Sequence, residues 1–127
     1  MISYNFNGET RILEVKFEGK IDIKELTNYI ITIREDESLP KYLKIFSDAT
    51  NGKFAHKVNR GDLKRFFKEN RFTLESKQKE FIFDAFVVSS SMEMALGMIY
   101  REIVKINNYK FNIFSTREAA MNWLSNY

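Results

Sequence analysis

Two short runs near the N-terminus alternate apolar and polar residues, Tyr4-Asn5-Phe6 and Arg11-Ile12-Leu13-Glu14-Val15-Lys16-Phe17, the two-residue period of strands with one buried face. Between them lies Asn7-Gly8, the pair best able to take the positive φ angles of a tight turn, so the pattern predicts an antiparallel hairpin. Gly19 ends the second strand. Asp22 and Glu25 then stand at the spacing of a helix N-cap and its reciprocal partner. Ile23, Leu26, Ile30 and Ile33 recur at three- and four-residue steps, which predicts a first helix that closes in the turn Asp36 to Pro40.

Tyr42 to Asp48 reads as the next strand, whereas Ala49 to Gly61 has two glycines, several polar residues and no period, which predicts a loop of the kind that often carries function. Leu63, Phe66 and Phe67, extended by Leu74, give a second helix its apolar face, and Lys64, Arg65, Lys68 and Arg71 fall largely elsewhere on the wheel. Phe81 to Val88 is almost continuously apolar, the mark of a central, parallel strand covered on both faces. Only Asp84 interrupts it. An ionised carboxylate buried there costs several kcal/mol unless paired or hydrogen-bonded, so Asp84 either has partners or sits at an exposed start of the strand.

Ser90 and Glu93 repeat the capping spacing, and Met94, Leu96, Gly97, Met98, Ile99, Ile103 and Ile106 predict a well-buried helix, apolar around much of its circumference. The methionines, Met92 and Met121 included, read as core filler. Tyr109, Phe111 and Ile113 alternate as a last strand, after which Ser115 and Glu118 cap a closing helix that turns Ala119, Ala120, Trp123 and Leu124 inward. The order is ββαβαβαβα. Right-handed crossovers then predict an α/β fold: a mixed five-stranded sheet with an N-terminal antiparallel hairpin, a parallel remainder and helices on both faces. The length of 127 residues suits one domain spanning 1–127.

The composition removes several kinds of chemistry. With no cysteine, disulfides, thiolate nucleophiles and cysteine-held metals are excluded. The N-terminal residues lack the basic region and apolar stretch of a secretory signal, and Asp84, Glu93 and Arg101 break the longest apolar stretches short of the ~18 residues a membrane span needs. A cytoplasmic protein is the expectation. The net charge of +3 is concentrated: Lys53 to Arg71 holds seven basic residues against Asp62 and Glu69. This segment has no recognised nucleic-acid signature and its phenylalanines belong to the core, so it reads as a solvated helix face, with no specific nucleic-acid partner expected.

The order of elements and several segments resemble the SpoIIAA-like proteins, which share the STAS fold of sulphate transporters and anti-sigma-factor antagonists. The resemblance spans nearly the whole chain. It is carried by the strand, Gly19 and capped-helix opening, by Leu43-Lys44-Ile45-Phe46-Ser47-Asp48, by Ala85-Phe86-Val87-Val88-Ser89 running into a helix at Ser90, and most specifically by Phe114-Ser115-Thr116-Arg117-Glu118-Ala119-Ala120-Met121-Asn122-Trp123-Leu124. The resemblance implies the fold, and together with the absence of a catalytic set it leads to the expectation of a non-enzymatic regulatory or protein-interaction module of STAS type. The antagonists of that family carry a phosphorylatable serine at the start of the helix after the third strand. Here Lys57 to Leu63 holds neither serine nor threonine, so the phosphorylation switch does not carry over.

Parallel sheets bind ligands beyond the carboxyl ends of their strands, which gathers Asp48, Asn51, His56, Lys57, Asn59, Arg60, Ser89, Ser90 and Ser91 as candidates at one rim. Helix N-termini there offer free N–H groups to an anion, with Lys57 and Arg60 beside them. The plainer reading is that Ser90 and Ser91 cap a helix and Asp48 ties down its own loop. His56, the sole histidine, has no visible orienting partner and reads as a surface residue, so no enzymatic activity is expected. No metal and no cofactor are implied. The partner expected is a protein or a small apolar or anionic ligand, and a homodimer is compatible with either. The alternative to a regulatory module is a small-ligand or lipid-binding protein with an apolar pocket near the carboxyl ends of the strands, opened by movement of the helix after Ser91.

Overall fold

The computed structural model describes residues 1–127. The elements follow the expected order: β1 (Ile2–Asn7), β2 (Ile12–Ile21), α1 (Ile23–Glu35), β3 (Tyr42–Phe54), α2 (Arg60–Leu74), β4 (Phe81–Val87), α3 (Ser91–Ile103), β5 (Tyr109–Phe114) and α4 (Arg117–Leu124). The strands lie side by side in chain order, with β1 antiparallel to β2 and every other neighbouring pair parallel. When each right-handed crossover adds its strand on the same side of the last one, every crossover helix lands on the same face. Accordingly Ile30 and Ile33 of α1 and Phe66 of α2 share one core with Leu13, Val15, Leu43, Ile45 and Ile82. On the opposite face Ala120 and Leu124 of α4 pack with Ile12, Phe46, Ala85 and Val87. Helices do cover both faces, three against one.

The continuous apolar run of β4 follows from this arrangement. The strand is hydrogen-bonded between β3 and β5, so Ile82, Phe86 and Val88 turn toward the three-helix face while Phe83, Ala85 and Val87 turn toward α4. Two expected caps are in place: Asp22 accepts from Glu25 N at 2.7 Å and Ser90 accepts from Glu93 N at 3.2 Å. No helix is long and apolar enough to cross a membrane.

Several local expectations are corrected. Residues 49–54 are strand, not loop: past a one-residue bulge opposite Lys16 and Glu18, Asn51 to Phe54 pair with Glu18 to Ile21 of β2, which itself runs on through Gly19. A backbone ladder holds this extension, so its side chains needed no period. Gly52 is required there because a Cβ would stand 2.6 Å from the Phe17 carbonyl oxygen. The hairpin closes over Gly8 to Arg11 and its positive φ falls on Arg11, with the Asn7 carboxamide oxygen accepting from Glu9 N at 2.9 Å. The closing helix is capped by Thr116, one residue beyond Ser115, and Ala119 faces solvent.

α3 is not the well-buried helix its composition suggests. None of its residues is fully buried, and Met92 and Met98 are 70% and 47% exposed. It flanks the edge strand β5, so one side of the helix meets solvent whatever its composition.

The bulged end of the sheet is checked by replacing its glycine. Gly52→Ala is expected to cost about 1–3 kcal/mol through a backbone clash, whereas Gly8→Ala, with nothing within 4 Å of the new carbon, should stay within about 0.5 kcal/mol of the native protein. Urea unfolding of the two variants measures this, and coincident midpoints would contradict the close approach of Gly52 to Phe17.

Candidate ligand-binding site

Three helices on one face do not fill it. Between the sheet and α1, α2 and α3 lies a cavity of about 160 Å³, and 18 of its 24 lining residues are hydrophobic. Phe17, Ala49, Phe86 and Val88 form its floor, α1 contributes Leu26 and Tyr29, α2 Leu63 and Phe66, and α3 Leu96 and Tyr100. Ile23, Lys53, Val58, Asp62 and Glu93, all exposed or half-buried, mark its mouth at the carboxyl end of the strands. Gly97 brings α3 down as the roof: a Cβ there would stand 2.5 Å from Ile113 Cδ1.

The inner end of the cavity is polar, and strand register explains why. Asp84 is paired with Ile45 of β3 and Phe111 of β5. Two residues along each neighbour, on the same face, stand Ser47 and Tyr109. The Ser47 hydroxyl donates to Asp84 Oδ1 at 3.0 Å and the Tyr109 hydroxyl to Oδ2 at 3.0 Å. Asp84 is thus a buried residue in mid-strand, not at an exposed start, and it takes part in none of the ion pairs of the chain. Burial raises its pKa to about 6, against the lowering effect of the Ser47 and Tyr109 hydrogen bonds and of the Arg34 charge.

Arg34 is 3% exposed, donates to the Ile30 carbonyl oxygen at 3.2 Å and lies 5.5 Å from the centre of the Tyr109 ring. Desolvation lowers its pKa, and the same cause, with the Asp84 charge next, raises those of Tyr29, Tyr100 and Tyr109. Among these groups the Tyr29 hydroxyl is buried with no hydrogen-bond partner.

The rim residues expected from the sequence lie elsewhere, and none of them lines the cavity. Asp48 accepts from Thr50 N at 3.0 Å and from the Thr50 hydroxyl at 2.6 Å, and the Ser89 hydroxyl donates to the Thr50 carbonyl at 3.1 Å, so Thr50 brings Asp48 and Ser89 together. Asn51 is an exposed residue of β3. Asn59 caps α2 in a reciprocal capping box with Asp62, Arg60 begins that helix, and His56 and Lys57 are exposed in the connection before it. Ser90 caps α3 and Ser91 begins it. No group of His, Cys, Asp or Glu is arranged to hold a metal ion. Sequence reading missed Tyr29, Tyr100 and Tyr109, which pass for ordinary core aromatics; the signal that pointed toward them was Asp84 in its apolar strand.

The raised pKa of Asp84 has a definite consequence for stability. The folded carboxyl binds its proton more tightly than the unfolded one, so stability should fall as pH rises from about 4 to about 6 and level off above. The change is on the order of 3 kcal/mol. Asp84→Asn should remove this fall and be at least as stable as the native protein at neutral pH. Urea unfolding of both proteins across that interval tests it, and parallel pH profiles would contradict a raised carboxyl.

No protein-family model and no curated protein matches the chain. Among solved structures it is similar to an uncharacterised DUF3478-family protein from Shewanella loihica PV-4 with a SpoIIAA-like fold. The TM-score is 0.57 and the identity 13%, over 98% of this chain and 92% of that one. The architecture agrees with the resemblance read from the sequence: five strands in a mixed sheet, four helices and the ββαβαβαβα order make this a SpoIIAA-like α/β fold.

Proposed function

We propose that the chain is a non-enzymatic, STAS-type regulatory module whose input is a small apolar molecule held between the sheet and its three crossover helices. The observation that carries this reading is the cavity of about 160 Å³ with mainly hydrophobic walls. An engineered apolar cavity of ~150 Å³ takes up benzene, which sets the scale of the occupant: one ring or a short branched chain, not an extended acyl chain.

The regulatory half of the reading rests on α3. Leu96, Gly97 and Tyr100 face the cavity, while Met92 and Met98 of the same helix are exposed. A ligand that binds one position of α3 better than another shifts the population of that position by its difference in affinity. A partner protein touching the outer side of the helix then reads whether the cavity is filled.

Toluene is a suitable first probe, followed by chemical-shift titration. Saturable shifts at Phe86, Leu63 and Leu96 are expected. Val58, half-buried at the mouth, should block access when enlarged: Val58→Trp weakens toluene by at least about tenfold with little change in melting temperature, and Val58→Ala retains it. Non-saturable shifts spread over the surface would remove the cavity as a binding site.

A further inference from the structure

Resting on that reading of the cavity, we propose that its occupant is a neutral, single-ring molecule carrying one hydroxyl, with the ring among the aromatic walls and the hydroxyl taken up by Tyr29 and Asp84. The first support is size, since about 160 Å³ holds one ring with few substituents. The second is the character of the walls: Phe17, Phe54, Phe66, Phe86 and Phe111 all line the cavity, and aromatic pairs gain from edge and offset contacts beyond the area they bury.

The third support is the unfinished hydrogen bonding at the inner end. Tyr29 lines the cavity and its hydroxyl is buried without a partner, a condition native structures rarely leave uncorrected. The Ser47 hydroxyl lies nearby, but its one proton goes to Asp84, so it does not also donate to Tyr29. Asp84, also part of the lining, accepts one bond on each oxygen, and a carboxylate has acceptor capacity beyond that. A single hydroxyl matches both needs, accepting from Tyr29 and donating to Asp84.

The same end disfavours an acid. A ligand carboxylate would meet Asp84, whose only charged neighbour, Arg34, does not line the cavity and is held by the Ile30 carbonyl and the Tyr109 ring. Like charges brought together in a buried site are strongly unfavourable.

Phenol, toluene and benzoate test the assignment, each titrated at near-neutral pH into the native protein and Tyr29→Phe. A cavity with no polar partner prefers toluene, because the phenol hydroxyl loses its water without replacement. Phenol is therefore expected to bind the native protein at least as tightly as toluene, and benzoate not at all. Tyr29→Phe should weaken phenol about tenfold, the worth of one buried hydrogen bond, and leave toluene within about twofold. Tighter binding of toluene than phenol by the native protein, or equal losses of both in Tyr29→Phe, would overturn the hydroxyl assignment while leaving the cavity as a binding site. If neither ligand binds, both readings fall. The native ratio of phenol to toluene is decisive even if the variant folds poorly.

Discussion

The handedness of the strand crossovers governs this molecule. Because β2, β3, β4 and β5 are laid down in chain order, α1, α2 and α3 share one face of the sheet, and only α4 covers the other. The α4 face closes as a small dry core around Ala85, Ala120 and Leu124, each at most 1% exposed. The opposite face must be tiled by three helices, and the sheet beneath them is lengthened at its carboxyl end by the bulged continuation of β3 along β2. The helices pack the amino-terminal part of the sheet, where Ile33, Leu43, Leu74 and Ile82 are each at most 2% exposed. Beyond it they leave room between Phe86, Leu63 and Leu96.

Within that space the polar groups have an order set by the pleat. Asp84 has Ser47 and Tyr109 as same-face neighbours on the two flanking strands, which lets a carboxyl be buried in an interior strand without a direct ion pair. Burial is costly enough to raise its pKa to about 6 even against those two hydrogen bonds. An apolar residue would fit the sheet without that cost. The buried carboxyl and the unpartnered Tyr29 hydroxyl share one end of one cavity, and local polar groups that work against stability are expected at sites of function.

Much of the architecture was legible in the sequence because it rests on periodic side-chain patterns. The alternation from Ile12 to Phe17, the capping pairs Asp22–Glu25 and Ser90–Glu93, and the apolar run from Phe81 to Val88 each report a local physical demand. Where structure came from the backbone or from distant partners, the pattern was silent. The ladder holding Asn51 to Phe54 needs only N–H and C=O groups from β2, so polar side chains there looked like a loop. The exposure of α3 depends on which strand it covers, and β5 is an edge only once the whole sheet is assembled. The cavity mouth opens at the carboxyl end of the strands, yet none of the rim residues named there lines it. Asp84, Tyr29 and Tyr109 converge only through strand pairing and helix packing across distant parts of the chain.

Ligand binding at this site depends on the space under α1, α2 and α3 being a persistent cavity. Diffraction from crystals held under xenon pressure tests that most directly, since xenon enters apolar cavities of this size without needing a polar contact. A persistent cavity gives a xenon peak enclosed by Phe86, Leu63 and Leu96. Absence of the peak, with Leu96 packed down onto Phe86, would contradict it.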